Sequence, residues 1–189
     1  MKTIIKNIAT IKTGVFAKSV SGGAIVYLQA KHFDETGKIS SLLHPDLMIE
    51  SINEKHFIKS GDVLFSAKGT KNFAALYENK DQPAVASTSF FVIRLHENFI
   101  NKILPQFLVW FLNNPLSQQS LKAKAIGTSM ASISKVVLEE LEISIPSIET
   151  QKEILKITEL YNQEKNLKQQ IETLREKQIQ QQIINAINK

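Results

Sequence analysis

The chain contains no cysteine among its 189 residues. Disulfide bonds, thiolate nucleophiles and thiolate metal sites are therefore excluded, and the composition suits a reducing cytoplasm. No apolar run approaches the roughly twenty residues that a membrane-spanning helix needs. The N-terminal segment also lacks the uninterrupted apolar core of a signal peptide. We therefore expect a cytoplasmic protein that makes no membrane contact.

Patterns typical of catalysis and metal binding are missing as well. None of the four histidines pairs with a carboxylate at the i, i+4 spacing of a zinc-binding helix. Gly22-Gly23 lacks the later glycine, lysine and hydroxyl residue of a phosphate-binding loop. No Ser-His-Asp spacing typical of a nucleophilic triad is present. We expect no catalytic residue, no cofactor and no metal in this chain.

Acidic residues are absent between Glu97 and Glu139, in a chain whose formal net charge is +5. Four lysines fall in that stretch, namely Lys102, Lys122, Lys124 and Lys135. A long segment with only positive charge raises the local potential and favours contact with phosphates. A solvated lysine face on an ordinary domain explains the same pattern, so both interpretations stay open.

Glycine and proline are absent after Pro146, which predicts a long C-terminal helix. Ser147 is a suitable N-cap, and Glu149 lies near the positive end of the helix dipole. Apolar residues follow a 3-4 heptad spacing, interrupted by Glu164 and Gln178, which predicts a short coiled coil. The predicted dimerisation residues are Ile157, Leu160, Leu167, Ile171 and Leu174. A helix folded back on its own domain is the alternative.

The remainder of the chain reads as a compact mixed domain. Strand patterns occur at 24–30, 63–67, 84–95 and 141–145, and helix patterns at 103–113 and 116–125, with a brief helical turn at 134–138. We therefore predict an α+β protein. It has a globular mixed α/β domain of residues 1–147, followed by a long helix of residues 148–189 that forms an antiparallel coiled-coil dimer.

Several loops combine cations, hydroxyls and amides, which suit contact with phosphates and base edges. A plain surface role is the alternative for any single residue, whereas convergence of several such loops would indicate a binding surface. The candidate DNA-binding residues are Lys18, Ser19, Gln29, Lys31, His32, Lys68, Thr70, Lys71, Asn72, Ser87, Lys122, Lys124, Thr128 and Ser129.

Six motifs occur in an order that resembles the specificity subunit of type I restriction–modification systems. They are 8–14 (IATIKTG), 59–66 (KSGDVLFS), 86–93 (ASTSFFVI), 104–108 (LPQFL), 127–134 (GTSMASIS) and 138–146 (LEELEISIP). Gln151 follows the last motif at the start of the predicted helix. Members of that family carry two target-recognition domains and two long helices, whereas this chain has room for one of each. The chain therefore resembles a half-subunit.

The resemblance implies a role without catalysis. Each recognition domain of the family reads one half of a split DNA target. The paired antiparallel helices set the gap between the halves and dock the methyltransferase subunits. S-adenosylmethionine and ATP would be bound by partner subunits. The implied partners are double-stranded DNA, a second copy of this chain, methyltransferase subunits and, through them, a restriction subunit.

We therefore expect a DNA sequence-specificity half-subunit that reads one half of a split target as a homodimer. One alternative is a coiled-coil adaptor or interaction module that does not bind DNA. A second alternative is the recognition part of a self-contained methyltransferase whose catalytic domain is missing from this sequence.

Overall fold

The computed structural model describes residues 1–20, 22–34, 37–49, 52–69, 72–78, 82–125 and 132–188. The chain divides into two compact units, Met1–Ile148 and Glu149–Lys189. The strands are β1 (Lys2–Ile4), β2 (Ala9–Thr13), β3 (Ile25–Leu28), β4 (Pro45–Leu47), β5 (Val63–Ser66), β6 (Ala74–Leu76), β7 (Ala84–Ala86), β8 (Phe90–Leu95) and β9 (Glu142–Ser144). The α-helices are α1 (Pro105–Asn113), α2 (Pro115–Ala123), α3 (Lys135–Glu139) and α4 (Ile148–Ile187).

The largest sheet has the strand order β2-β8-β5-β6, and all its neighbouring strands are antiparallel. Successive side chains of a strand point to opposite faces. In β2 this alternation buries Ala9 and Ile11 and exposes Thr10 and Lys12. The central strands β8 and β5 supply most of the core side chains of this sheet, from Phe90 to Ile93 and from Val63 to Phe65.

A second sheet has the order β4-β3-β7, in which β3 and β7 run parallel. All residues of β3 and β7 are buried, as expected for strands covered on both faces. The sequence predicts one strand over 84–95, but the chain turns at 87–89. The turn is closed by a hydrogen bond from Phe90 N to Ser87 O of 2.9 Å, so β7 and β8 enter different sheets.

The two ends of the first unit meet in the antiparallel pair of β1 and β9. Lys2 Nζ lies 2.8 Å from a Glu142 carboxylate oxygen across this pair, and both side chains are exposed. Such a surface ion pair contributes little to stability. The backbone pairing, extended by Met1 and Ile145, is what holds the termini together.

Helices α1 and α2 begin at Pro105 and Pro115, where the missing N–H of proline is tolerated. Buried apolar residues of α1, such as Phe107, line the side of the helix that packs on β6. The Asn113 amide accepts a hydrogen bond from Ala74 N and donates one to Ala74 O, at 2.7 and 2.9 Å. Asn113, which ends α1, therefore pairs the backbone N–H and C=O of Ala74 on β6.

The second unit consists of the helix that begins at Ile148, and 40 residues of α4 span about 60 Å at 1.5 Å per residue. The predicted α+β class, with sheets followed by a long C-terminal helix, is confirmed. No helix in the described ranges is both long and apolar enough to cross a membrane.

An ion pair between a buried carboxylate and a half-buried arginine holds the turn that leads into β5. Asp62 is almost fully buried, and its two carboxylate oxygens accept hydrogen bonds from Nε and one terminal nitrogen of Arg94 on β8. The same carboxylate accepts a bond from Lys59 N at 2.7 Å, across a turn in which Gly61 has φ of 92°. Arg94 also donates to Phe57 O, so the pair joins three segments.

Arg94→Leu is expected to destabilise the fold by about 3 kcal/mol, because it leaves a buried carboxylate without its cation. Chemical denaturation measures this loss. The double variant Asp62→Leu/Arg94→Leu removes both charges and is expected to be more stable than Arg94→Leu. A double variant less stable than the single one would show that the pair does not act as a buried charge pair.

Candidate nucleic-acid interface

Five segments of the first unit meet at one edge, which we call the loop edge: residue 14, residues 29–32, the loop residues 67–69 and 72–73, residues 87–89 and residues 132–133. The loops are joined by backbone hydrogen bonds. Ser87 N donates to Leu28 O, Ala67 N to Ser89 O, and Ile133 N to Ala67 O, at 2.8, 2.9 and 3.0 Å. The bonds link the end of β3 to the turn after β7, then to the end of β5 and finally to the segment before α3.

Three phenylalanines beneath the loop edge explain why these loops converge. Phe33 follows residues 29–32, Phe73 precedes β6 and Phe90 begins β8. Their ring centroids lie 5.4 to 6.0 Å apart, in tilted and edge-to-face arrangements that aromatic pairs favour. All three are buried. Three of the converging segments, those next to Phe33, Phe73 and Phe90, are therefore each anchored in the core by one aromatic ring.

Gly14, at the end of β2, brings a further segment close to the same edge. Gly14 N donates to Phe90 O at 3.0 Å, and Val15 N donates to Ala86 O at 2.8 Å. A Cβ atom at position 14 would overlap the carbonyl oxygens of Ala86 and Ser87. This close backbone approach requires glycine.

The loop edge brings together six of the residues predicted to bind DNA: Gln29, Lys31, His32, Lys68, Asn72 and Ser87. Lys31 and Lys68 are exposed, and Gln29 and His32 are half-buried. His32 Nδ1 accepts a hydrogen bond from Gln29 N at 3.2 Å. Burial, with a smaller effect of Lys31, lowers the pKa of His32 below its ordinary value. The neutral ring therefore carries its proton on Nε2, where it is a donor.

Besides Gln29 and His32, whose side chains cap the short helical turn between them, two more of these six residues have a role in the fold. Asn72 Nδ2 donates to Ser66 O at 2.9 Å and so ties the loop between β5 and β6. Ser87 is buried, and its hydroxyl has no hydrogen-bond partner in the described part of the chain. Its neighbours Thr88 and Ser89 are partly exposed, and these are the hydroxyl residues of this turn that reach the surface.

The other predicted residues lie elsewhere. Lys18 and Ser19 are exposed. They directly precede Val20, whose backbone N donates a hydrogen bond to Asp46 O on β4. Lys122 and Lys124 are exposed at the end of α2. The pKa of Glu142 on β9 is lowered chiefly by its hydrogen bond from Lys2, and to a lesser extent by Lys124, which places Lys124 near β9. Thr70, Lys71, Thr128 and Ser129 lie outside the described residues.

The structure also contains a cationic groove that the sequence analysis missed. It runs along the outer face of β2 and β8 and is lined by Thr10, Lys12, Thr13, Gly14, Lys55, His56, Phe57, Val92 and Arg94. The polar alternation of residues 9–13 is a signal that could have identified Lys12 and its neighbours. Lys55 comes from the short helical turn Glu54–His56, distant in sequence from β2, and only the fold brings it to the groove.

On α4, the five predicted seam residues are all exposed, with between 49% and 67% of each side chain accessible. Glu164 at the seam pairs with Lys168 one turn later, at 2.6 Å. No group of three or more histidines and carboxylates in the described ranges could hold a metal ion.

A model of the type I restriction modification DNA specificity domain matches residues 5–173. The chain belongs to this family. No curated protein sequence matches the chain at a significant level.

Solved structures show the same fold as this specificity domain. The HsdS subunit from Thermoanaerobacter tengcongensis is 21% identical with a TM-score of 0.64, and covers 89% of this chain and 44% of that one. The type I restriction-modification S subunit from M. genitalium is 17% identical with a TM-score of 0.56, covering 86% and 39%. A structure that describes complex assembly and conformational transition of the type I R-M system is 16% identical with a TM-score of 0.61, covering 87% and 38%.

The specificity domain thus spans about two-fifths of the length of these solved chains. At such low sequence identities, the similarity to these structures establishes a shared fold and nothing more. The predicted family and fold class are confirmed.

Phe33→Ala is expected to destabilise the first unit by about 3 kcal/mol, because it removes one ring of the buried cluster. Hydrogen exchange should accelerate at the amides of Ser87 and Ala67, which join the loops. Phe16, whose side chain is 87% exposed, provides the matched control. Phe16→Ala is expected to leave both stability and exchange nearly unchanged. Equal effects of the two variants would contradict the proposed role of the cluster.

Proposed function

We propose that this chain is a DNA sequence-specificity half-subunit of a type I restriction–modification complex. The main support is the convergence of five segments on one edge, where side chains predicted from the sequence to contact DNA come together. Convergence distinguishes a binding surface from scattered polar loop residues. Membership of the family supports the same function, because its members are DNA specificity domains.

On this proposal, the loop edge divides its contacts between the DNA backbone and the bases. The exposed Lys31 and Lys68 suit phosphates, which supply affinity without sequence information. Gln29 offers an amide that matches the adenine edge in the major groove, and His32 offers a neutral donor. Thr88 adds a hydroxyl that can either donate or accept. The backbone bonds between the loops hold these groups in fixed relative positions.

A homodimer through α4 completes the proposal. The exposed apolar seam needs a second helix, and another copy supplies an identical one. An antiparallel pair has one register in which the apolar seam residues match best: Ile157 faces Leu174 of the other copy, and Leu160 faces Ile171. Glu164 then faces Leu167 near the two-fold axis, where a polar residue fixes register at some cost in stability.

This register sets the separation between the two copies. The centre lies midway between residues 164 and 167, so the two helix starts at Ile148 are about 50 Å apart along the axis at 1.5 Å per residue. A two-fold dimer presents the same loop edge twice, so its target would be a split palindrome. Methyltransferase subunits, and through them a restriction subunit, would supply the chemistry, and this chain would have no catalytic role.

Selection of bound duplexes from a randomised library tests DNA reading. The wild-type chain is expected to enrich one split palindrome. Gln29→Ala should relax one base in each half-site, since a bidentate contact discriminates by about 1–3 kcal/mol. Lys68→Ala should weaken binding to all duplexes but retain the motif, whereas Lys6→Ala, an exposed lysine away from the loop edge, should change neither.

The absence of salt-dependent DNA binding by the wild-type chain would contradict this function. It would favour the coiled-coil adaptor instead.

The proposed register is tested with cysteines, which the native chain lacks. Differently tagged Glu164→Cys and Leu167→Cys chains are co-expressed and treated with a short thiol crosslinker. The mixed pair should crosslink best, because each variant with itself is offset by three residues, about 4.5 Å along the axis. Gln169→Cys, on the opposite side of the helix, is the control. Equal yields from all pairs, or a monomer by light scattering, would contradict the register.

A further inference from the structure

The cationic groove on β2 and β8 is separate from the side chains assigned to base reading. It has a volume of about 120 Å³. Lys12 comes from β2, which forms one wall of the groove, and Lys55 comes from the short helical turn Glu54–His56, which forms another. In the described ranges neither lysine lies within salt-bridge distance of a carboxylate. The groove therefore has two unneutralised positive charges.

Arg94 also lines the groove, but its positive charge, unlike the charges of the two lysines, has a carboxylate partner. That partner is the buried Asp62, in the turn before β5, whose carboxylate accepts a hydrogen bond of 2.7 Å from Arg94 Nε. The hydrogen bonds to Asp62 raise the pKa of the Arg94 guanidinium above its ordinary value. Since Arg94 also donates to Phe57 O, it links β8 to the segment that follows Lys55. The spacing of the two walls is therefore fixed.

Hydroxyl groups complete the lining. Thr10 and Thr13 lie on the same strand as Lys12, and the Thr10 hydroxyl is 3.2 Å from His96 Nε2. Lysine ammonium groups with neighbouring hydroxyls are donors that suit an oxyanion, and no carboxylate in the described part of the chain lines the groove to repel one.

The groove adjoins the loop edge at Gly14, which belongs to both. Lys12 is two residues from Gly14 along β2, which is about 7 Å for an extended strand. That distance corresponds to roughly two nucleotide steps of 3.4 Å. A DNA strand whose bases meet the loop edge would therefore have its neighbouring phosphates at the groove.

We propose that the cationic groove binds phosphodiester groups of the DNA strand that flank the bases read at the loop edge. This inference rests on the proposed DNA-binding function and adds a second contact region to it. The lysines Lys12 and Lys55 bind phosphate, while Arg94 positions the walls. The groove supplies affinity and orientation without sequence preference, because phosphates are the same at every base pair.

The test measures the affinity of the full chain for a short random-sequence duplex and for its selected target, over a series of salt concentrations. Lys12→Gln and Lys55→Gln are each expected to reduce the slope of log affinity against log salt by about 0.9, the value for one lost phosphate contact. That change corresponds to about a fivefold loss of affinity at physiological salt, equal for both duplexes. Lys6→Gln, which removes a lysine outside the groove, should retain the wild-type slope. Thermal unfolding confirms that each variant folds.

The outcomes separate this inference from the function on which it rests. If the wild-type chain binds DNA but Lys12→Gln and Lys55→Gln keep its slope, the groove does not bind phosphates. If those variants keep DNA affinity and lose association with methyltransferase subunits, the groove binds an acidic protein surface and the inference is overturned. If the wild-type chain shows no salt-dependent DNA binding, the proposed function fails as well.

Discussion

The loop edge depends on the packing of Phe33, Phe73 and Phe90. A loop at the surface loses conformational entropy when it is held in one arrangement, and the burial of one large ring per loop offsets that cost. The rings meet within 6.0 Å, so none of the three loops can move outward without opening the core beneath the others. The cluster thus converts three independent connections into one surface of fixed shape.

The Asp62–Arg94 pair has a comparable effect at the opposite end of β5. Asp62 precedes β5 and Arg94 lies near the end of β8, so their bond fixes one end of this strand pair, while the phenylalanines fix the other. Burial of an ion pair in place of apolar side chains does not in itself stabilise a protein. Its contribution is to geometry, since it holds the cationic groove and the turn at Gly61 in a single arrangement.

Much of this architecture is predictable from the sequence, for identifiable reasons. Residues that determine local structure act within a few positions, so Pro105 and Pro115 mark helix starts, and the absence of glycine and proline after Pro146 marks α4. The strands β1, β4 and β6 were missed because each has only three residues in which a pattern can appear, whereas β2 has five residues whose alternation was overlooked. The single strand expected over 84–95 was wrong, because polar Ser87–Ser89 fit an alternating pattern as well as they fit a turn.

The candidate site was predictable only in part. Residue type identified Gln29, Lys31 and Lys68, since cations and amides suit nucleic acid, but their convergence depends on long-range contacts that no local pattern encodes. Ser87 illustrates the limit, because its hydroxyl is suitable chemically and yet faces the interior. Lys55 is the reverse case. It lies in an unremarkable loop sequence and acquires its neighbours only when β2 and β8 pair.

The hydrogen bonds between the loops run from backbone to backbone: Ser87 N to Leu28 O, Ala67 N to Ser89 O, and Ile133 N to Ala67 O. Bonds of this kind do not depend on which side chains the loops present. Side chains that point outward from the edge can therefore be exchanged while the frame beneath them stays intact. A surface built in this way can acquire a new binding preference by substitution of a few exposed residues. The fold of the domain is expected to tolerate each of these substitutions.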